Sequence, residues 1–353
     1  MREPNEIDFW RGFALAMIFV SHIPKLYFES FTLRHYSLSD SAELFVFLAG
    51  WGLQYLADRY RGMTGIGPLV GRLYGRALTL YVAQIAVTSV AIAMLAYASV
   101  RWAAPDILVW NNVAPAFDDP VRANVAIATL TYHLNYFDIL PLYVVLMAAA
   151  PLVVVIHRAV PVLLLPLSLA IYVAALLTQA NLPSWPAGTW YFNPLSWQLV
   201  FVLGFVLADE RGLGALVRRH HAILRRLAIP VVMTGMAFAL GLVVPPDGHA
   251  YLFDKTFEGP VRLAHHLAIV ALFAGSFWIV RAALPPVAAY FALLGRNSLH
   301  VFCAGSLFSL GGQLWLRFNE SEPLDDGLLI VAGLAAMGAV AWLAAWRRSP
   351  APA

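Results

Sequence analysis

The stretch IDFWRGFALAMIFVSHIP, residues 7–24, has the length and apolar content of a membrane-crossing helix, yet it carries Asp8, Arg11 and His22. A charged side chain at the centre of a bilayer costs roughly 2.5–3.5 kcal/mol on insertion scales, so it must face protein or water. Because an α-helix turns about 100° per residue, Arg11 and His22 are expected about 20° apart on one face. Asp8 is three residues before Arg11 and is expected to pair with it. The stretch therefore predicts a helix with one polar stripe.

The composition is that of a polytopic membrane protein. Of the 353 residues, 61% are hydrophobic and 12% are charged, and the mean hydropathy is +0.71, whereas soluble domains carry about 25% charged residues. No small-residue cleavage site follows the first apolar run, which is therefore expected to remain as a helix. Cys303 is the single cysteine, which excludes an intrachain disulfide. No histidine pair has the spacing of a helical metal site, so no metal is predicted.

Apolar segments of about 20 residues, each long enough to cross a bilayer, occur about ten times. Lys and Arg concentrate in the second and sixth connections and at the end of the chain, which predicts that both termini are cytoplasmic. With no recognisable repeat or soluble domain, we predict an all-α helical bundle that forms one integral-membrane domain over residues 1–353. The predicted spans are 9–28, 42–58, 74–99, 139–157, 160–180, 195–209, 224–244, 262–284, 298–317 and 326–346.

The second predicted span adds a carboxylate to this polar arrangement. Glu43 lies at the start of the span, and helices joined by a short connection usually pack as antiparallel neighbours. His22 and Glu43 are therefore expected to meet in the outer third of the membrane. A carboxylate beside an imidazole fixes its tautomer and stabilises its positive charge, which makes His22 a candidate general base toward a hydroxyl. The alternative interpretation is a polar contact that only stabilises the helix pair.

Several motifs resemble those of known membrane acyltransferases. The pattern D-x-x-R-G-x-A, with a histidine later in the same helix (8–22), resembles the first helix of acyltransferase family 3. The stretch AELFVFLAGW (42–51) resembles the second helix of one branch of it, the OpgC family. Three more stretches resemble that branch and occur in the same order: LNYFDILPLY (134–143), WYFNPLSWQLVF (190–201) and LGRNSLHVF (294–302).

The resemblance implies a ten-helix enzyme of the bacterial inner membrane. Such an enzyme moves a succinyl or acetyl group from cytoplasmic acyl-CoA to a hydroxyl of a periplasmic glucan or another envelope glycan. Acyl-CoA is then a co-substrate, no permanently bound cofactor is expected, and the partners are acyl-CoA, the glycan and membrane lipids but no nucleic acid. Carried over by motif position, the catalytic residues are expected to be His22, Glu43, Asp8 and Arg11.

Arginines on the cytoplasmic side are candidates for binding the CoA phosphates, because a guanidinium matches the geometry of a phosphate. Asparagine and serine in the motif at 294–302 are candidate hydrogen-bond donors to the thioester carbonyl, although both residue types also favour helix starts. The acyl-CoA candidates are Arg11, Arg72, Arg76, Arg296, Asn297 and Ser298.

Polar and aromatic residues near the outer face are candidates for binding the acceptor. Asp138 and Tyr143 flank Pro141 at the mouth of the fourth predicted span. The outer loop 181–194 is rich in Trp, Tyr and Pro, which favours either a platform for stacking sugars or an aromatic belt at the membrane interface. The acceptor candidates are Asp138, Tyr143, Trp190, Asn193, Trp197 and Gln198.

The alternative function is a proton-coupled transporter or flippase for a glycan-related solute. Intramembrane acidic, basic and histidine side chains suit proton-coupled transport, but the inverted repeats common in transporters are not visible, and acyl transfer is favoured. The residues identify neither the acyl group nor the acceptor. A succinyl group would need a cation or donor for its free carboxylate, and the candidates are His133, Lys255 and Arg262.

Overall fold

The computed structural model describes residues 3–62, 65–245 and 247–348, which form α-helices, two short 3-10 helices and two isolated β-bridges. In chain order the helices are α1 Glu6–Ser21, α2 Leu33–Tyr36, α3 Ser41–Arg59, α4 Gly67–Arg101, α5 Asp106–Trp110, α6 Ala114–Asp118, α7 Pro120–Ala128, α8 Ile139–Ala159, α9 Pro161–Thr178, α10 Pro194–Ala208, α11 Gly212–Arg219, α12 His221–Ala239, α13 Pro260–Phe273, α14 Phe277–Ala283, α15 Pro285–Arg296, α16 Ser298–Phe318 and α17 Pro323–Trp346.

The chain forms two compact units, each built from segments that are distant in the sequence. The first unit comprises Met1–Leu48, Leu216–Leu252 and Pro260–Ala353, and the second comprises Ala49–Ala215 and Phe253–Gly259. The helix α3 begins in the first unit and ends in the second. The prediction of a single integral-membrane domain stays a prediction.

Six helices in the described part of the chain are long and apolar enough to cross a bilayer, namely α4, α8, α9, α12, α16 and α17. The pair α13 and α14, bent by 46°, would make a seventh span. Helices α1 and α10 also coincide with predicted spans, but their 16 and 15 residues reach only about 24 and 22 Å at 1.5 Å per residue, short of the hydrocarbon core of about 30 Å. The all-helical, membrane-type fold is confirmed, while ten crossings and cytoplasmic termini stay predictions.

The first helix is shorter than predicted, because α1 ends at Ser21 and not near residue 28. Pro24 explains this end, since proline lacks a backbone N–H and disfavours helical geometry in the residue before it. His22 is the C-cap residue, and its N–H donates to the carbonyl of Ile18 at 3.0 Å. The imidazole is therefore presented at the end of α1 and not within its length.

Two side chains of α16 hold the end of α1. The Oγ of Ser309 donates to the carbonyl of Phe19 at 2.9 Å, and the Nε2 of Gln313 donates to the carbonyl of His22 at 2.6 Å. The last carbonyls of a helix have no donor within the helix, so these bonds satisfy groups that would otherwise be buried without a partner. They also fix the position from which His22 projects.

The helices α1 and α15 touch at two reciprocal glycines. A Cβ atom on Gly12 would overlap the carbonyl oxygen of Phe291, and one on Gly295 would overlap the carbonyl oxygen of Asp8. The absent side chains let the two backbones meet, and the Nε of Arg296 lies 3.2 Å from the Oδ2 of Asp8. The helix α15 was not predicted as a separate element, and this close packing on α1 is what defines it.

Gly12→Ala is expected to lower the free energy of unfolding by about 1–3 kcal/mol, because the added methyl group overpacks the contact between α1 and α15. Gly75→Ala in α4 is the matched control, since a Cβ atom there meets nothing within 4 Å. The control is expected to gain about 1 kcal/mol from the higher helix propensity of alanine. Unfolding in detergent, followed by circular dichroism, measures both variants. Equal stability of Gly12→Ala and the wild type would contradict the tight crossing.

In the second unit, a similar contact joins α3 to α10, where a Cβ atom on Gly50 would overlap the carbonyl oxygen of Phe201. The 35 residues of α4 extend about 52 Å, which exceeds the hydrocarbon core of about 30 Å. Its first turns carry Arg72 and Arg76. The helix is long enough to hold both guanidinium groups outside an apolar layer.

Candidate functional site

A buried cluster of charged side chains lies at the start of α3. The Nε of Arg262 is 2.5 Å from the Oε1 of Glu43, and its Nη2 is 3.7 Å from the Oδ2 of Asp40. The Oε2 of Glu43 accepts the backbone N–H of Asp40 at 2.8 Å, while the Oδ1 of Asp40 accepts the N–H of Ala42 at 2.8 Å. This reciprocal pattern is a capping box, which satisfies the free N–H groups at a helix start.

Arg262 compensates the charge of a carboxylate that has no access to solvent. Glu43 is 0% exposed and Arg262 is 8% exposed, and a buried charge is tolerated only when it is paired and hydrogen-bonded. Because two carboxylates surround Arg262, this guanidinium has no surplus positive charge for the carboxylate of a succinyl group. The pairing of Arg262 with Glu43 could not be predicted from residue spacing, because the two residues are 219 positions apart in the sequence.

Two histidines of α13 lie beside the same cluster. The Nδ1 of His265 is 3.1 Å from the Oγ of Ser39, and the ring of His266 packs edge-on against the ring of Phe47 with 5.6 Å between their centroids. Both imidazoles are buried. The start of α13 therefore faces the start of α3 with one arginine and two histidines.

The predicted catalytic residues of α1 are held by three different parts of the first unit. The Nη2 of Arg11 donates to the carbonyl of Leu48 in α3 at 2.6 Å. Asp8 is buried, and its carboxylate binds the Nδ2 of Asn5 and the Nε of Arg296. The Nδ1 atom of His22 is buried at the end of α1. The predicted contacts of Asp8 with Arg11 and of His22 with Glu43 stay predictions.

The acyl-CoA candidates of the first unit lie where α15 meets α16. Asn297 is buried, its Nδ2 donates to the carbonyl of Leu293 at 2.8 Å, and its Oδ1 accepts from Arg348. Asn297 is the C-cap residue of α15 and the N-cap residue of α16, and its side chain does not cap α16. Ser298 is the first residue of α16. Donation by either side chain to a thioester stays a prediction.

The acyl-CoA candidates of the second unit are Arg72 and Arg76 on α4. Arg72 is exposed and its Nη1 lies 3.3 Å from the hydroxyl of Tyr60, while Arg76 is partly buried. The two arginines are four residues apart and thus share one face of the helix. Their geometry is compatible with a two-point contact to phosphate, and their role stays a prediction.

Asp138 lies just before α8 in the second unit, which also contains Lys255. Asp138 is partly exposed, and its carboxylate accepts no hydrogen bond from the described residues. Burial raises the pKa of Asp138 to about 7, an effect that the positive charge of Lys255 partly offsets. The Nζ of Lys255 lies 5.5 Å from the ring centroid of Phe192 and 6.0 Å from that of Tyr191. This is the arrangement of a cation over aromatic faces.

Four predicted acceptor residues make contacts within this region, and their role toward the acceptor stays a prediction. Trp197 is 0% exposed, and its Nε1 donates to the carbonyl of Lys255 at 3.0 Å. The N–H of Asn193 donates to the carbonyl of Thr256 at 3.1 Å, and its Nδ2 donates to Ala180 at 2.7 Å. The other two predicted residues also face protein, since Trp190 packs on His133 and Gln198 bonds to Ser168.

The remaining acceptor and cation candidates differ in their surroundings. Tyr143 lies partly buried near the start of α8. The Nε2 of His133 is 2.8 Å from the carbonyl of Leu130, and burial lowers the pKa of His133. A histidine that stays neutral does not supply the cation that a succinyl carboxylate would need. In the part of the chain that the structure describes, no group of three His, Cys, Asp or Glu residues is placed to hold a metal ion.

A protein-family model described as OpgC protein matches residues 2–349. The chain belongs to the OpgC protein family. Membership implies a transferase-type enzyme and suggests that it modifies a glucan by acyl transfer. Together with the apolar helices, it identifies this OpgC family member as a membrane protein. Comparison with curated proteins and with solved structures gave no match. The resemblance to the OpgC branch is confirmed, and membership of the wider acyltransferase family 3 stays a prediction.

Proposed function

We propose that this protein is a multi-pass enzyme of the bacterial inner membrane that transfers a succinyl or acetyl group from cytoplasmic acyl-CoA to a hydroxyl of a periplasmic glucan or related envelope glycan. The match of the OpgC family model to residues 2–349 carries the proposal. That range contains each residue to which the mechanism below assigns a role.

In this mechanism His22 is the general base. Its imidazole takes the proton of the acceptor hydroxyl while the oxygen attacks the carbonyl carbon of the thioester. The tetrahedral intermediate then collapses, the carbon–sulfur bond breaks, and the proton on His22 passes to the departing CoA thiolate. A positioned general base of this type contributes about 10²–10⁴-fold to the rate. The bond from Gln313 to the His22 carbonyl supports this role, because it fixes the backbone that carries the base.

Glu43 is proposed to stabilise the positive charge that forms on His22. The Oε1 of Glu43 accepts from the Nε of Arg262, and its Oε2 accepts from the backbone N–H of Asp40. These bonds fix the orientation of the carboxylate at the start of α3. Arg262 compensates a negative charge on Glu43 in a buried place, which suits an electrostatic role.

The acyl-CoA is proposed to enter from the cytoplasmic side, because its phosphates cannot enter the apolar core of the bilayer. Arg11, Arg72, Arg76 and Arg296 are the proposed phosphate ligands, with Asn297 and Ser298 as proposed donors to the thioester. Asp8 would orient Arg296, whose Nε it already binds. The acceptor approaches from the opposite side, where the glucan resides.

The proposal is tested with purified full-length protein in nanodiscs, incubated with labelled succinyl-CoA or acetyl-CoA and a periplasmic glucan extract. We expect the label to appear on the glucan, and the preferred donor identifies the acyl group. Release of labelled free acid without glucan shows hydrolysis of the donor as a side reaction. Absence of both transfer and hydrolysis, in folded protein that binds glucan, would contradict the enzyme and favour a glycan transporter.

A further inference from the structure

We infer that the hydroxyl of Ser306 binds the acyl donor, and that its partner is an amide group of the pantetheine arm of CoA. This arm is the chain that links the CoA phosphates to the thioester sulfur. The inference rests on the proposed function for the identity of the donor. It adds a binding residue within α16 and names the part of the donor that this residue contacts.

The helix α16 joins the two ends of the proposed donor site. It follows directly on Arg296 and Asn297, and its Gln313 donates to the carbonyl of His22 at 2.6 Å. A donor whose phosphates are bound at Arg296 and whose thioester lies at His22 must therefore extend along α16. Its thioester passes the start of α16 on entry and reaches His22 once the arm is inserted.

The helices α16 and α1 run parallel to each other, which fixes the height of Ser306 along this path. Ser309 donates to the carbonyl of Phe19 at 2.9 Å, and Gln313 donates to that of His22. Higher residue numbers in one helix thus lie beside higher numbers in the other. Because Ser306 comes three residues before Ser309, it lies about 4.5 Å nearer to the start of both helices. It stands between the proposed phosphate ligands and His22.

Ser306 lies on the face of α16 that is turned toward α1 and α3. At 100° per residue it is about 20° from Gln313, which contacts α1, and about 40° from Phe302. The ring of Phe302 packs against the ring of Phe45 in α3, with 6.2 Å between their centroids. The hydroxyl is therefore directed toward the junction of α16 with the two helices that carry the predicted catalytic residues.

The hydroxyl of Ser306 has no hydrogen-bond partner in the described part of the chain. Ser306 is 4% exposed, and its Oγ is buried. In contrast, Ser309 donates to the carbonyls of Phe19 and Gly305, at 2.9 and 3.0 Å. Buried polar groups in native proteins are nearly always hydrogen-bonded, and each exception calls for an explanation. A ligand that extends along this face would supply the missing bond.

Arg296 has a similar unpaired atom at the other end of the path. Its Nε binds Asp8, but its Nη2 is buried and donates to no acceptor among the described residues. Arg296 is a proposed phosphate ligand, and a guanidinium can bind a phosphate through two nitrogens. Buried polar atoms without a partner therefore occur at two heights of one path, beside the proposed phosphates and beside the proposed arm.

An amide of the arm suits Ser306 better than the other groups of the donor. A hydroxyl both donates and accepts, and an amide offers an N–H donor and a carbonyl acceptor. The methylene groups of the arm form no such bond. The phosphates are too far away, because Ser306 lies eight residues after Ser298, the first residue of α16, which is a rise of about 12 Å.

The test compares two probes that share the nucleotide phosphates and differ in the arm. CoA carries the pantetheine arm, whereas its nucleotide half, adenosine diphosphate with a further phosphate on the ribose, lacks it. Binding of each probe to full-length protein in nanodiscs, without glucan, is measured by isothermal titration calorimetry. Ser306→Ala is expected to raise the Kd for CoA by about 2–10-fold, as the loss of one neutral hydrogen bond does, and to leave the Kd for the nucleotide unchanged.

Ser196→Ala is the matched control. Ser196 is 0% exposed, and its Oγ is also buried without a hydrogen bond from the described residues. It lies in α10, to which no contact with the donor is assigned, and the control is expected to bind both probes as the wild type does. Arg296→Lys is the comparison at the phosphate end. It is expected to weaken binding of both probes, because lysine cannot replace a two-nitrogen contact.

Thermal unfolding of the same preparations separates a lost contact from a damaged fold. Neither alanine variant removes a hydrogen bond that the described residues form, so both are expected to be at least as stable as the wild type. A Ser306→Ala variant that is less stable than Ser196→Ala would overturn the inference, because it would show that the Ser306 hydroxyl stabilises the fold.

Four further outcomes would overturn the inference. They are no binding of CoA to the wild type, an unchanged Kd for CoA in Ser306→Ala, an equal loss of affinity for both probes in that variant, and a loss for CoA that Ser196→Ala shares. An unchanged Kd would favour an ordered water as the partner of the hydroxyl. The proposed function is judged separately by label transfer. CoA binding that depends on Ser306, without any acyl transfer, would contradict the enzyme and leave the contact standing.

Discussion

His22→Ala is expected to lower the rate of acyl transfer by about 10²–10⁴-fold, because it removes the group that accepts the proton of the attacking hydroxyl. The fold should tolerate the change. Ser309 and Gln313 hold the end of α1 through backbone carbonyls, and the substitution retains both carbonyls. The measurement is the initial rate of label transfer from acyl-CoA to glucan at saturating concentrations of both substrates, with thermal unfolding of the same preparation.

His35→Ala is the matched control for this experiment. His35 is an exposed histidine of α2 whose ring packs on Tyr36, and no role in transfer is assigned to it. The control is expected to retain the wild-type rate. A His22→Ala variant that is folded and also transfers at the wild-type rate would show that another group removes the proton, and the proposed mechanism would be wrong.

Arg262→Gln is expected to lower the free energy of unfolding by about 3–5 kcal/mol, because breaking a buried ion pair leaves an uncompensated charge. Glu43 is 0% exposed, and Asp40 lies on the other side of the same guanidinium. The substitution removes the guanidinium partner of the Glu43 carboxylate and leaves the bond from the backbone N–H of Asp40 in place. The measurement is unfolding of the purified protein in a mild detergent, followed by circular dichroism at a fixed pH.

The double variant Arg262→Gln with Glu43→Gln separates lost charge compensation from lost packing. Replacing both partners of a buried pair is much less costly than removing one, so the second substitution is expected to recover part of the lost stability. Arg281→Gln is the control, since Arg281 pairs with the exposed Glu3 at 3.3 Å and such pairs contribute about 0–1 kcal/mol. If Arg262→Gln is no more damaging than Arg281→Gln, the pair does not compensate a buried charge.

Most helices of the fold could be predicted from local sequence, because the length of an apolar run is a local property. Six predicted spans have both ends within three residues of a helix, namely α3, α8, α9, α10, α16 and α17. The end of α1 was missed, although Pro24 marks it, because the apolar run continues on both sides of that proline. The helix α15 was missed for another reason. Its apolar residues merge with those of its neighbours, so hydropathy did not separate it, although a proline stands at its first position.

The sequence predicted which ionisable residues belong to the candidate site, but it did not predict which of them form pairs. The sequence indicated Glu43 and Asp138 as functional carboxylates, and it indicated Lys255 and Arg262 only as unsupported cations. The structure joins Arg262 to Glu43, while the positive charge of Lys255 lowers the pKa of Asp138. Asn193 and Trp197 both bind the segment that carries Lys255, a contact that the sequence did not indicate, and their predicted role toward the acceptor stays a prediction.

The sequence by itself determined that this chain is helical and membrane-embedded, that it belongs to the OpgC family, and which ionisable residues lie inside apolar segments. Hydropathy, helix periodicity and family motifs are all properties of neighbouring residues, and they need no knowledge of the fold. Only the tertiary structure decided which cation neutralises which buried carboxylate. A buried carboxylate requires some cation, but the cation it receives depends on which helix faces pack together. Backbone contacts such as that of Gly12 with Phe291 settle this packing across hundreds of residues.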